Sequence, residues 1–278
     1  MNTLKEKTIM KNYGVIITII LIVAVYSPRL IAGEPLPIST FAFPPYNYLE
    51  NGRVTGSEIE VVQKVFQRMG YELEVQLLAI GRALADTTEG RFVALVALSE
   101  TPERFSTFYP SDPIGLTRPE IVKRKDMDFT LKMVDDYFPY LVGVTKGFHY
   151  TIPFEEAVAA GKIQVSELSG KDTELRHLRM LVNGRVDLVF TEANVINHIM
   201  NKHSPEFELL ERVSTLSGIV FPHYVMFSKK WPNGDKLRDQ FNTHLANLAS
   251  EGELLAIWEK YNIVARLKGP QYKGKPGK

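Results

Sequence analysis

Strands and helices alternate in two separate blocks of this chain, which predicts an α/β fold in two lobes: a clamshell, each lobe a mainly parallel sheet flanked by helices, joined by two hinge crossings. Three observations carry the prediction. First, apolar or alternating runs at Leu36–Thr40, Tyr71–Leu78 and Val93–Leu98 are separated by helical stretches at Gly56–Gly70 and Arg82–Glu89, a β-α-β-α-β order that implies a parallel sheet covered on both faces. Second, the pattern restarts after a break: Pro119–Lys123 is extended, Arg124–Asp136 is charged and irregular, and the buried run Leu141–Thr145 leads onward through residue 210. Third, the closing strand Tyr224–Ser228 and the helices Lys236–Ser250 and Leu254–Tyr261 have no sheet of their own, so they must return to complete the first lobe.

Each element has its own signal. The helix Gly56–Gly70 places Ile59, Val62, Val65 and Phe66 on one face and stops at a glycine. Between them Leu36–Thr40 and this helix leave an aromatic and proline-rich loop at Phe41–Tyr48. In the second block, helices at Pro153–Ala160, Thr173–Val182 and Ala193–Asn201 alternate with strands near Ile163–Val165, Val186–Phe190 and Phe207–Leu210. Ligands in open α/β sheets bind beyond the carboxyl ends of the strands, so the site is expected on loops of both lobes, facing a cleft.

The N-terminus carries Lys5, Lys7 and Lys11, an apolar run from Val15 to Tyr26, and small residues at Ala32 and Gly33. This is the layout of a cleavable secretory signal peptide at 1–33, with an apolar stretch short of the ~20 residues that span a bilayer. The expected division is then 34–120 with 214–265 as a discontinuous first lobe, 121–213 as the second, and 266–278 as a basic flexible tail. No cysteine is present, which excludes disulfides, a thiolate metal site and a lipidated cysteine anchor. A free exported protein points to the periplasm. The formal net charge is +1 and the basic residues are scattered outside the tail, so nucleic acid is not an expected partner. No heptad or repeat indicates an assembly, and a monomer is expected.

The stretch Ser99–Pro113 (SETPERFSTFYPSDP) bears most directly on function. Thr101 and Pro102 read as an N-cap with proline at the first helical position, immediately after a buried strand. Arg104 beside that helix start is suited to clamp a small carboxylate. The alternative is that Arg104 is a solvated helix residue or pairs with Glu103 or Asp112. Glu58 and Glu60 are explained by the macrodipole of their own helix.

Several motifs, weak singly but ordered as in one family, resemble the family-three bacterial extracellular solute-binding proteins over roughly Leu36–Ile263. They are GSEIEVV at Gly56–Val62, TPER with SDP at Ser111–Pro113, VGVTKG at Val142–Gly147, GRVDLVFTE at Gly184–Glu192, then YVMFSKK and WEKY. The resemblance implies capture of a small polar, amino-acid-like solute for an inner-membrane ABC permease, without cofactor, metal or catalytic residue. It also implies roles: Arg104 for the α-carboxylate with Ser99 beside it, Glu192 for the α-ammonium, and Phe43 against the ligand side chain. Two other classes of function stay open, an enzyme of the same fold (cyclohexadienyl-dehydratase-like) and a soluble ligand-sensing partner of a membrane receptor.

Departures from the family pattern matter too. Phe148 and His149, followed by Tyr150, stand where the family usually carries small hydroxyl residues, and they crowd the cleft. His149 could instead titrate or bind metal, but no second histidine lies at helical spacing from it, and His177, His198 and His203 read as helix-surface residues. Arg82 either lines the cleft or pairs with Asp86 on its own helix. Trp231 and Trp258 read as first-lobe packing.

Overall fold

The computed structural model describes residues 34–214 and 219–263. The expected signal peptide and basic tail lie outside the described residues. The chain begins with β1 (Leu36–Phe41), the hairpin β2 (Tyr48–Glu50) and β3 (Arg53–Thr55), α1 (Ser57–Arg68), β4 (Leu73–Leu78), α2 (Ile80–Thr88) and β5 (Ala94–Ser99). It continues through α3 (Pro102–Thr107), β6 (Phe108–Pro110) and β7 (Gly115–Thr117). A second set follows: β8 (Pro119–Arg124), β9 (Leu141–Thr145), α4 (Ile152–Ala159), β10 (Gln164–Leu168), α5 (Thr173–Val182), β11 (Leu188–Glu192), α6 (Ala193–Lys202) and β12 (Leu210–Ser214). Finally come β13 (Phe221–Ser228), α7 (Gly234–Ser250) and α8 (Glu253–Lys260).

Two main sheets result. The first runs β4-β1-β5-β13-β6 with β7 also on β13, and the second runs β10-β9-β11-β8-β12. Each is mixed rather than mainly parallel. β4, β1 and β5 are parallel to one another, as are β10, β9 and β11, because a helix carries the chain back between them. β13 and β8 run antiparallel to their neighbours because the chain enters them from the other sheet without a helical crossover. The returning strand therefore sits inside the first sheet, between β5 and β6, as its lack of a sheet partner in sequence required.

The helices bury the faces their sequences mark. In α1, Ile59, Val62, Val65 and Phe66 are all at most 1% exposed and pack beneath the first sheet with Phe227 and Phe241. Burying side chains of this size contributes about 1.5–3 kcal/mol each, which sets the helix position more firmly than its intrinsic propensity does. Trp258 is buried and Trp231 packs partly buried against the same cluster. The second sheet has α5 and α6 on one face, with Leu178, Leu181, Ile196 and Ile199 buried, and an aromatic cluster of Phe129, Tyr137, Phe154 and Phe190 on the other.

His177 does not lie on the helix surface as its position suggests; it is 1% exposed. Its ring lies over Gly143, where an added Cβ would come within 2.8 Å, and its Nε2 meets the Ser166 carbonyl at 3.2 Å. Desolvation lowers its pKa to about 4, against the ordinary value near 6.5. The unfolded chain thus binds the extra proton between pH 6.5 and 4, so this residue's contribution favours folding above that window and is lost as pH falls through it. We expect His177→Gln to flatten the acid limb of the stability profile, shifting the wild-type-minus-variant difference by up to about 3 kcal/mol between pH 7 and 4; urea titrations at the two pH values measure it.

Candidate functional site

β5 does not end as an ideal strand. Opposite β13, Ser99 pairs with His223 and Leu98 with Tyr224, but Val225 pairs with Val96, which leaves Ala97 as an extra residue with φ of +74°. This bulge turns the end of the central strand, and Ala97, Leu98 and Ser99 all line a cavity of about 60 Å³ between the two sheets. A non-glycine residue in that backbone region costs roughly 1–2 kcal/mol, and such strain is characteristic of ligand-facing positions.

Ser99 leads into the helix start expected from Thr101 and Pro102. Thr101 Oγ1 accepts from the Arg104 backbone N–H at 3.2 Å, which caps α3 and aims Arg104 back across the strand end. Arg104 Nη1 donates to the Ser99 carbonyl at 2.9 Å and to Ser99 Oγ at 3.0 Å, while Nη2 donates to the Gly147 carbonyl of the other lobe at 2.8 Å. Desolvation lowers its pKa to about 10, so it remains a cation at neutral pH. Among the described residues no carboxylate forms an ion pair with it within 4 Å, and the more distant Glu155 and Glu103 only partly offset the desolvation. Three of the five guanidinium N–H groups are used, which leaves Nε–H and one Nη2–H for an anion in the cavity.

The Phe41–Tyr48 loop forms an aromatic wall. Phe43 is 6% exposed, stacks on Tyr46 at 5.2 Å between centroids and touches Phe148 edge-on at 5.3 Å. Phe148 also packs 5.6 Å from Phe41. The Tyr46 hydroxyl accepts from Asn194 Nδ2 at 2.7 Å, a second hydrogen bond between lobes. Burial and the nearby Glu192 carboxylate raise the Tyr46 pKa well above the usual phenol value, keeping it protonated.

Glu192 lines the same cavity as the N-cap of α6. Its Oε2 accepts from the backbone N–H groups of Asn194 at 2.7 Å and Val195 at 3.0 Å, and Oε1 from Arg118 N at 3.1 Å and Asn194 Nδ2 at 3.2 Å. Burial raises its pKa despite these bonds. Thr191 beside it has Oγ1 buried with no hydrogen-bond partner. His149 also reaches the wall; its Nδ1 contacts Glu155 Oε1 at 3.0 Å, and its ring meets Phe221.

The structure therefore brings together Arg104, Ser99, Phe43, Phe148, His149 and Glu192. Arg82 does not join them. Its side chain is 67% exposed and paired with Asp86, which also holds Arg91, and it borders a separate groove between the lobes with Phe41, Gly147 and Phe148. Glu58 does more than face its own helix dipole. It is 1% exposed, and its Oε1 meets His223 Nδ1 at 2.9 Å, while His223 Nε2 reaches Thr117 Oγ1 at 3.2 Å. His223 and Thr117 line the cavity. Among the described residues no group of three or more His, Asp or Glu could hold a metal ion, and no helix is long and apolar enough to cross a membrane.

Comparison with known proteins places this fold among relatives. The chain is 26% identical over 218 residues to the probable amino-acid-binding protein YxeM of Bacillus subtilis, covering 78% of this chain and 79% of that protein. It is 21% identical over 221 residues to the L-cystine-binding protein TcyJ of Escherichia coli, covering 79% of each. Its fold superposes on an ancestral arginine-binding protein bound to arginine with a TM-score of 0.71 at 23% identity, over 82% of this chain and 97% of that one. A histidine kinase sensor domain with similarity to periplasmic binding proteins matches with a TM-score of 0.74 at 20% identity, over 85% and 99%. The model of the bacterial extracellular solute-binding proteins, family 3, matches residues 38–263, and the chain belongs to that family.

Proposed function

We propose that this protein captures a small amino-acid-like solute in the cavity between its lobes and delivers it to an inner-membrane ABC permease. The carrying observation is Arg104: a desolvated guanidinium at the cavity wall, with no carboxylate in ion-pair contact among the described residues and two N–H groups unused. A cation held this way is stabilised by an anion that arrives with the ligand, and a carboxylate fits the guanidinium fork. From the other lobe the unpartnered Thr191 hydroxyl supplies an acceptor for an ammonium, and Glu192, whose oxygens already accept four N–H groups, adds negative charge beside it. A zwitterion would thus bridge the lobes, and its binding energy would favour closure.

The division into lobes 34–120 with 214–265 and 121–213, action as a monomer, and release into the periplasm after removal of residues 1–33 belong to the same reading. So does the absence of catalysis; the curated relatives compared above are named as binding proteins. A thermal-shift screen against amino acids, polyamines and small carboxylates tests it: a ligand at 100 times its Kd adds about 2.7 kcal/mol, or roughly 5–10 °C in a protein this size. No shift with any amino acid would overturn it.

Glu192→Gln separates the two ends of the ligand. The variant should weaken amino acids by at least tenfold and spare their deaminated analogues, which isothermal titration measures. It should also cost about 1–2 kcal/mol without ligand, because one amide oxygen replaces a carboxylate that accepts four hydrogen bonds. Equal loss for amine and deaminated analogue removes the ammonium role.

A further inference from the structure

We infer that Phe148 is a built-in stopper that limits this site to the smallest amino acids; the inference rests on the solute-capture reading above. Phe148 follows β9 in the second lobe, yet its ring packs on two aromatic residues of the first lobe, edge-on to Phe43 at 5.3 Å and tilted against Phe41 at 5.6 Å. The same turn is held across the lobe boundary by the Gly147 carbonyl, which accepts from Arg104, and by Gly147 itself, where an added Cβ would lie 3.2 Å from Ile80. The ring therefore occupies the aromatic subsite beside the carboxylate-binding cation instead of bordering it from a distance.

The remaining space decides the size class. With the ring in place the cavity holds about 60 Å³, roughly four to six waters, which is enough for glycine or alanine; a phenylalanine or arginine side chain has to displace the ring or leave through the adjoining groove that Arg104, Gly147, Phe148 and His149 also line. The ring is held against the first lobe by two aromatic contacts worth about 0.5–1.5 kcal/mol each beyond their buried area, so displacing it costs a larger ligand binding energy. Removing the ring leaves space on the scale of the ~150 Å³ cavities that accept benzene.

Because Phe148 also ties the lobes together, its truncation should weaken closure for every ligand, so the informative quantity is the ratio of two dissociation constants in one protein, in which the closure cost cancels. The mature wild type, Phe148→Leu and Phe148→Ala would be titrated calorimetrically with glycine, alanine, phenylalanine and arginine. We expect the wild type to favour glycine or alanine over phenylalanine and arginine by at least tenfold. The preference should shrink in Phe148→Leu and reverse or vanish in Phe148→Ala. An unchanged ratio across the three proteins would overturn the stopper, as would a wild type that prefers the large ligands and loses them on truncation, since the ring would then be a wall that the ligand stacks on. Either result leaves solute capture intact. Failure of all four ligands in all three proteins overturns the stopper, and the shift screen against the wider panel then decides whether the capture reading goes with it.

Discussion

Arg104→Ala is expected to weaken binding of any carboxylate ligand by at least 100-fold while leaving the empty protein's thermal midpoint within a few degrees of wild type. The asymmetry follows from what the side chain does in each state. In the ligand-free protein its donors go to the Ser99 carbonyl, Ser99 Oγ and the Gly147 carbonyl, and these bonds are offset by the cost of desolvating the cation, already visible in its lowered pKa. With a carboxylate present, the same group gains charge-assisted bonds in a water-poor cavity, and truncating one partner of such a pair costs about 2–5 kcal/mol. Arg104→Lys should recover little, because an ammonium cannot present the planar fork or keep three existing partners while adding two more. Calorimetric titration with the best ligand of the screen, beside a melting curve of the empty variant, decides the matter; a drop of more than 10 °C in the empty variant would make Arg104 a structural residue.

Gly56→Ala should be the most destabilising single-methyl change in the first lobe, costing about 3–5 kcal/mol. Gly56 has φ of +127° and ψ of 170°, a conformation essentially reserved for glycine, and an added Cβ would stand 2.0 Å from the Tyr46 carbonyl oxygen. That carbonyl cannot retreat freely, because it accepts from the Glu58 N–H at the start of α1 while the Pro45 carbonyl accepts from Ser57 N. The clash would push on Tyr46, whose ring stacks on Phe43 and whose hydroxyl meets Asn194 across the cleft. The midpoint should fall by roughly 8–15 °C and ligand affinity with it. Gly70→Ala is the control: φ is +83° there too, but nothing lies within 4 Å of the added carbon, and about 1 kcal/mol should be lost.

Local signals in the sequence located most elements because each rests on neighbours a few residues away. Leu141–Thr145 and Thr173–Val182 fall where their apolar spacing puts them, and the Thr101–Pro102 helix start delivers Arg104 to the cavity as the cap predicts. What stayed hidden depends on partners far along the chain. Glu58 reads as an ordinary first-turn acid until β13 returns His223 to it from 165 residues away. His177 lies on a helix whose polar residues give no sign that Gly143 opens a slot for its ring. The direction of β13 and β8 depends on how the chain passes between sheets, which apolar periodicity does not encode. Tyr46 and Asn194 carry no motif; their pairing across 148 positions exists only once the lobes meet.

The placement of the two tryptophans has a practical consequence for spectroscopy. Trp231 and Trp258 both pack against the hydrophobic cluster under the first sheet, and neither borders the cavity. Intrinsic tryptophan emission therefore reports the integrity of one half of the molecule and is blind to direct contact with a solute. A titration that leaves the emission maximum unmoved is the expected behaviour of a fully occupied protein, and an optical probe of occupancy has to be installed on the second lobe, where nature left no indole.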